Sequence, residues 1–407
     1  MMFSPAKAVE VSLWGNRVGA LAMGSDGYSV FEYDRDFVSG GVEIAPFAMP
    51  LSSRIYYARE FELPRRAFSA LPGVFADSLP DSFGNKLVIA WMRAQGVKVE
   101  EISPLDRLAY VGSRGMGALE YEPEYASLPS GDSALDMRRL AEEARLALDS
   151  DLSKMSGTDA LQEIIRLGTS AGGAQAKAIV SWNRRTGAFL SAQENLPEGF
   201  EHWMVKFSPR VLPGQGEREF EIYKTALECG IEMSESRLCE IDGIRHFMTK
   251  RFDRDGEIRH LVQTYCAMRH LPPGSPVSLC TYEGVMETIA ALGMGYEAVE
   301  QMFRRIVFNI AIGEHDDHTK NISFIMRKGG SWELAPAYDL TAYSETPADS
   351  DFFEWTNRHA LSVNGKFSSI DKNDLAVFGA KFGIGQAKET IEEVFAKCRG
   401  MTSPAAK

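Results

Sequence analysis

Apolar and polar positions alternate near the start of the chain. Val9, Val11 and Leu13 are separated by polar neighbours, which predicts a β-meander over residues 8 to 33. Gly15-Asn16 is its expected first turn, followed by strands at Val18 to Ala22 and Tyr28 to Tyr33. Ala58 to Leu63 is a further extended stretch, halted before Pro64. Leu71 to Asp81 then leads into an amphipathic helix over Phe83 to Gln95, and residues 105 to 121 hold a short helix, a glycine loop and a strand. The Pro/Ser/Gly-rich stretch Leu128 to Ser133 is the expected domain boundary.

Beyond it, Leu135 to Leu148 is rich in strong helix formers. Strands are expected at Ala178 to Trp182 and His202 to Phe207, a helix opening at Glu219 and running to Cys229, and a strand and hinge at Met248 to Phe252. Val299, Phe303, Ile306, Val307 and Ile310 recur at helical spacing until Gly313 stops the helix. A dense polar loop follows, then a hairpin of Ile322 to Met326 and Trp332 to Ala335 around the turn Lys328-Gly329-Gly330. An acidic loop, Ser344 to Glu354, precedes two closing helices, Asp374 to Phe382 and Gln386 to Cys398. No internal repeat is evident.

Composition narrows the class. With 407 residues, 44% hydrophobic and 25% charged, the chain can build a large core across two or three domains. A net charge of −12 argues against a surface that coats nucleic acid. The five cysteines are scattered without C-x-x-C spacing, so they read as reduced thiols rather than a disulfide frame or zinc site. No apolar run reaches membrane-spanning length and no signal-peptide pattern opens the chain, so a cytoplasmic protein without membrane contact is expected.

The candidate chemistry centres on Gly313 to Asp339. The polar loop and the hairpin bring Asp316, Asn321 and Asp339 to the ends of one small unit, where their side chains can converge. Phosphoryl transfer needs such a set: a carboxylate to position the attacking hydroxyl, and an Asn and a second Asp to hold Mg²⁺ on the phosphates. Asp316 and Asn321 have the spacing that protein kinases use in H-R-D-x-x-x-x-N. His318 and Asn321 form an H-x-x-N that resembles phosphoinositide-kinase-like loops, and Lys320 lies between them as a candidate nucleotide contact. Two other readings stand beside this one: a solvated turn, and a transition-metal site of a phosphohydrolase built on His315, Asp316, Asp317 and His318.

Upstream, Ser170, Ala171, Gly172, Gly173, Ala174, Gln175 and Lys177 make a small-residue loop running into a strand, where backbone N–H groups could approach phosphate closely. A plain tight turn accounts for it equally well. Lys206 is a strand lysine amid apolar neighbours and Glu219 a helix glutamate soon after, the pair that orients α- and β-phosphates in kinases. Their other reading is a strand-edge lysine and a glutamate favoured by the helix dipole. Lys250 and Phe252 mark the hinge where adenine would stack. The order of these pieces along the chain is the order found in kinases, and that order decides for a kinase.

Taken together, the residues resemble the HipA toxin kinases of bacterial toxin–antitoxin systems over nearly the whole chain. The resemblance is carried by Leu79-Pro80-Asp81, the Val111-Gly112-x-x-Gly115 to Leu119 loop, Ser170 to Lys177, Val205-Lys206, Lys250 to Arg254, Asp316 to Asn321, and Pro336 to Asp339. It implies an α+β, bilobal, protein-kinase-like fold with a β-rich N-terminal subdomain (residues 1–130). An ATP-binding part of the kinase core (131–255) and a helical C-terminal lobe with the catalytic loop (256–407) follow. It implies a Ser/Thr protein kinase using ATP and Mg²⁺, acting on a protein such as an aminoacyl-tRNA synthetase, glutamyl-tRNA synthetase above all. It also implies a small helix-turn-helix, HipB-like antitoxin as partner, with DNA reached only through it. By position, Asp316 matches the catalytic base, Asn321 and Asp339 the Mg²⁺ ligands, Lys206 the phosphate contact, and Ser170 an autophosphorylated, inhibitory serine. Two departures stand out: Asp317 occupies a position that is often small, and Lys250 one that is often acidic. A non-catalytic co-repressor of the antitoxin is the remaining alternative.

Overall fold

A computed structural model describes residues 4–125, 134–142, 175–191, 195–209, 214–272, 275–342 and 357–401. The boundary stretch 128–133, the loop residues 170–174 and the acidic loop 344–354 therefore lie outside the described residues, as does the helix expected over 135–148 beyond residue 142. Helix and strand are mixed, as an α+β protein requires, and the chain divides into two compact units. One comprises Met1–Glu217, Glu235–Val262 and Arg327–Gly329; the other Arg218–Ser234, Gln263–Met326 and Gly330–Lys407.

The first unit holds two five-stranded antiparallel sheets. One has the order β4-β3-β2-β1-β5, from β1 (Ala8–Leu13), β2 (Asn16–Met23), β3 (Ser29–Tyr33), β4 (Ile55–Tyr57) and β5 (Leu119–Glu122). Val9, Val11 and Leu13 are buried as their alternation demands. The turn after β1 centres on Trp14 and Gly15, both left-handed (φ 53° and 78°), one residue earlier than the Gly15-Asn16 expectation. Ala58 to Leu63 is not extended. Only Ile55–Tyr57 pairs with β3, and Ala58–Phe61 closes into a 3₁₀ turn that ends on a left-handed Glu62. The sheet edge stops at Tyr57, so the residues beyond it have no ladder to join and satisfy their backbone locally.

The second sheet has the order β7-β6-β8-β10-β9, from β6 (Lys177–Asn183), β7 (Phe189–Leu190), β8 (Phe200–Lys206), β9 (Ser236–Ile241) and β10 (Ile244–Lys250). Helix α1 (Ser82–Ala94) packs Phe83, Leu87, Val88 and Met92 into one core with Ala178, Val180, Trp203, Val205 and Met248. Helix α2 (Pro104–Val111) precedes β5. Helix α3 (Gln215–Glu228) begins four residues before Glu219, so Glu219 does not open it. Gly216 lets that earlier turn form, because a Cβ there would lie 2.6 Å from the Arg245 carbonyl oxygen and 2.9 Å from the Phe247 amide. Two short strands, β11 (Arg254–Asp255) and β12 (Ile258–Arg259), form a separate hairpin.

The second unit is built on α5 (Tyr296–Ile312), which starts three residues before the expected Val299. Around it lie α4 (Tyr282–Ala291), α6 (Lys372–Lys381) and α7 (Ala387–Lys397); Phe303 of α5 stacks on Phe378 of α6 at 6.4 Å. Strand β13 (Leu261–Thr264) borders β14 (Ser323–Met326), which pairs with β15 (Trp332–Leu334) in the register Phe324–Leu334. No helix among the described residues is long and apolar enough to cross a membrane.

Candidate functional site

Helix α5 ends where Gly313 turns left-handed (φ 68°), a conformation glycine takes without Cβ strain. The Glu314 N–H then donates back to the Asn309 carbonyl at 2.9 Å, and the residue is carried inward to 1% exposure. Its carboxylate accepts the N–H groups of Asp316 at 2.9 Å and Ala342 at 2.9 Å, and that of Thr341 as well. Asp339 and Ala342 are both left-handed (φ 57° and 43°), so the backbone between them curls its N–H groups into a concave anion-binding shape. Glu314 is the anion that fills it. Burial pushes its carboxyl above the usual range, and the N–H groups of Thr341, Asp316 and Ala342 pull the other way. One carboxylate thus ties the loop after α5 to the segment after the hairpin. Nothing in the sequence pattern singled out Glu314; an acidic residue behind a helix-stopping glycine was its only mark.

Asp317 is equally committed. It is buried, and its carboxylate accepts the Tyr282 hydroxyl at 2.6 Å, the Ala360 N–H at 2.6 Å, and pairs with His359 Nδ1 at 2.9 Å. Asn309 donates its amide to the Tyr282 hydroxyl at 3.0 Å, and the His315 ring meets His359 edge-on. Asp317 therefore anchors the loop from beneath. The reading in which Asp316, Asp317, His315 and His318 together ligate a metal does not fit, since Asp317 and His315 are turned to His359. Among the described residues no group of three or more His, Cys, Asp or Glu side chains could hold a metal ion.

Asp316 behaves differently from Asp317, its side chain being 49% exposed. Burial of what remains raises its carboxyl above the ordinary value; His318, whose Nε2 lies 3.7 Å away, lowers it, and the charges of Asp339 and Asp317 raise it again. The Asp339 charge, like that of Asp317, thus acts against ionisation of Asp316. The Asn321 N–H donates to the His318 carbonyl at 2.9 Å, and its side-chain amide donates to the Asp316 carbonyl at 2.8 Å. A carbonyl can only accept, so the –NH₂ of Asn321 is the end turned to Asp316 and the oxygen is the end left for a ligand. Tyr338 braces the hairpin side, with its hydroxyl 2.6 Å from both the Lys320 carbonyl and the Ser323 hydroxyl. Arg305 of α5 donates to the Ala335 carbonyl at 2.7 Å, fixing the turn that delivers Asp339. An Asn amide and an Asp carboxylate offer oxygen donors, the type that suits Mg²⁺ rather than a nitrogen- or sulfur-preferring transition metal.

The remaining candidates are divided between the units. Glu219 is a buried residue of the second unit. In the first, Lys206 is buried on β8 with its ammonium 5.7 Å from the Phe247 ring centre. Lys177, at the start of β6, is buried and ion-paired with Asp81 at 2.7 Å, while the other Asp81 oxygen caps α1 through the Gly84 N–H. Asp81 of the Leu79-Pro80-Asp81 motif is thus the partner the loop lysine meets. Gln175 donates to the Phe207 carbonyl at 3.1 Å, and Lys250 is paired with Glu201. Phe252 is half-buried. Ser170, Ala171, Gly172, Gly173 and Ala174 lie outside the described residues.

Helices and sheets together define an α+β, kinase-like fold. The chain belongs to the HipA family: residues 9–122 match the HipA N-terminal domain and residues 169–402 the HipA-like C-terminal domain. Two curated relatives carry the name "Putative kinase". One, Y4dM of Sinorhizobium fredii, is 26% identical over 243 residues, 55% of this chain and 57% of that protein. The other, from Haemophilus influenzae, is 24% identical over 232 residues, 48% of this chain and 68% of that protein. The chain thus spans little more than half the length of the first relative. HipA of Shewanella oneidensis, solved with HipB and its operator DNA, has the same fold, with a TM-score of 0.67 over 97% of this chain and 92% of that one, at 18% identity.

Proposed function

We propose that this chain is a HipA-type serine/threonine protein kinase that passes the γ-phosphate of ATP to a hydroxyl of a protein substrate. The observation that supports the reading is the hydrogen bond from the Asn321 amide to the Asp316 carbonyl at 2.8 Å, in the loop that leads to the hairpin ending before Asp339. Asp316, the half-exposed carboxylate of the set, positions the substrate hydroxyl and takes its proton. His318 beside it tempers its charge. Asn321, through its amide oxygen, and Asp339 would hold Mg²⁺, while Lys206 would contact phosphate and Glu219 would orient it. Mg²⁺ bound there would neutralise charge on the phosphates and quench the repulsion between Asp339 and Asp316. Lys320, Lys250, Phe252, Gln175 and the 170–174 loop complete the nucleotide set. Lys177, at the start of β6 and paired with Asp81, is proposed as a further nucleotide contact.

A HipB-like helix-turn-helix antitoxin is the proposed partner; the Shewanella HipA of the same fold was solved with HipB on operator DNA. Ser170 is the proposed autophosphorylation site, where a phosphate of about −1.5 to −2 charges would repel nucleotide. The test is labelling of a cell extract and of the enzyme itself with Mg²⁺ and labelled ATP. Asp316→Ala and Asp339→Ala should each cut transfer by about a thousandfold or more while leaving the fold intact. Near-normal labelling by either folded variant overturns the kinase reading. Mass spectrometry of the same reaction finds phosphate on Ser170 or removes that part alone.

A further inference from the structure

Two of the five thiols stand apart from the others. Cys229 follows the last turn of α3 and Cys398 caps α7, and both are buried, at 0% and 2% exposure. The two helix ends are fastened side by side. Lys397 donates its ammonium to the Glu228 carbonyl at 2.5 Å, and Arg304 donates to the Cys229 carbonyl at 2.9 Å while reaching Glu393 of α7 at 3.2 Å. Within that clasp the Cys229 and Cys398 thiols interact with each other. The chain neighbours of the two cysteines, Glu228, Gly230, Lys397 and Arg399, are all exposed.

We propose that Cys229 and Cys398 are a redox-modification site, a dithiol that closes to a disulfide joining the ends of α3 and α7. The oxidant is a low-molecular-weight disulfide such as glutathione disulfide, reaching the pair when the end of α7 opens locally. Cys229 is the attacking sulfur. The hydrogen bond from Cys398 and the nearby Lys397 and Arg304 cations lower its thiol, and the same bond and burial raise that of Cys398. The Cys229 thiolate attacks one sulfur of the oxidant, forming a mixed disulfide and releasing one glutathione thiolate. Cys398 gives its proton to solvent, attacks the Cys229 sulfur and releases the second. The protein loses two electrons and two protons, and one glutathione disulfide becomes two glutathiones. The closed bond would tie the helix that carries Glu219 to the last helix of the unit. The proposal does not depend on the kinase reading.

The full chain is incubated with glutathione disulfide, its remaining thiols are alkylated, and its peptides are mapped without reductant. A Cys229–Cys398 linked peptide is expected, cleaved by dithiothreitol, with a reversible rise in Tm of roughly 5–10 °C from the constrained unfolded chain. No linked peptide, while half-exposed Cys239 takes up glutathione, overturns the proposal. Cys398→Ala should trap Cys229 as the glutathione mixed disulfide. Cys229→Ala should leave Cys398 unmodified. Melts in reductant confirm that both variants fold, and equal modification of Cys398 in Cys229→Ala would refute the assigned order of attack.

Discussion

At the scale of single residues, Glu314 and Asp317 explain why Asp316 stands where it does. Each buries a carboxylate under the loop and satisfies it with three partners or more, leaving Asp316 the accessible one. Glu314→Ala removes an acceptor from the N–H groups of Asp316, Thr341 and Ala342 at once. Buried donors left without partners cost about 1–3 kcal/mol each, so the second unit should lose about 3 kcal/mol or more in urea melts. Phosphoryl transfer should fall by at least tenfold even where the variant is folded, because the Asp339 turn loses its anchor. A variant with normal stability and rate would show that the carboxylate merely fills space. His202 makes a second prediction. Burial lowers its pKa from 6.5 to about 4, helped by Arg251 and Arg254 and opposed by Asp253 and Glu257. The folded state thus holds the imidazole neutral where the unfolded chain protonates it. Its contribution is intact above about pH 6.5 and lost progressively as pH falls toward about 4, by up to about 3 kcal/mol. Urea midpoints at pH 7 and pH 5 measure this, and His202→Leu should flatten the difference; an unchanged slope in that variant removes the assignment.

At the scale of elements, two motifs that mark the family prove to be one piece of structure. Asp253 is fully buried, and its carboxylate accepts Arg251 at 2.9 and 2.7 Å, Arg254 at 2.7 Å and the Gly117 N–H at 2.8 Å. Arg254 also donates to the carbonyls of Gly115 and Gly117. Burial alone would raise the Asp253 carboxyl, yet the two guanidinium groups and Gly117 hold it far below the usual range. The Lys250 to Arg254 stretch therefore staples the glycine loop between α2 and β5. Asp253→Asn should cost about 3–5 kcal/mol, since it leaves two buried guanidinium groups uncompensated; a Tm within a degree or two of the parent would contradict this. Elements with a clear period were legible from the chain alone: the β1 alternation, α1 behind Asp81, and α5 up to Gly313. The β9–β10 hairpin was not picked out, though its turn is Asp242-Gly243 with both residues left-handed, a strong local turn signal. The Ala58 stretch was misread because its backbone conformation depends on where the β3 edge ends, which no local pattern carries.

At the scale of the whole molecule, charge sets the expected partners. A net charge of −12 gives a poor counterpart to a polyanion, so the isolated protein should show no tight, sequence-selective DNA binding in gel shifts. Any operator complex should then need a basic partner; tight binding by the chain alone would count against this. The loop and hairpin that carry the proposed Asp316, Asn321 and Asp339 were legible, because a helix-stopping glycine and a hairpin turn with two glycines are local facts. Side-chain commitments were not legible. Asp316 and Asp317 are adjacent and chemically identical, and only packing against Tyr282, His359 and Ala360 decides that one anchors while the other faces outward. Likewise, only the fold shows that the Lys177 ammonium lies 2.7 Å from Asp81. Periodicity, turn chemistry and motif spacing depend on neighbours along the chain, and so the sequence alone determined most element types and the family. Burial and ion pairing depend on residues tens or hundreds of positions apart, so only the tertiary structure decided which of the carboxylates and cations are buried in pairs and which stay exposed.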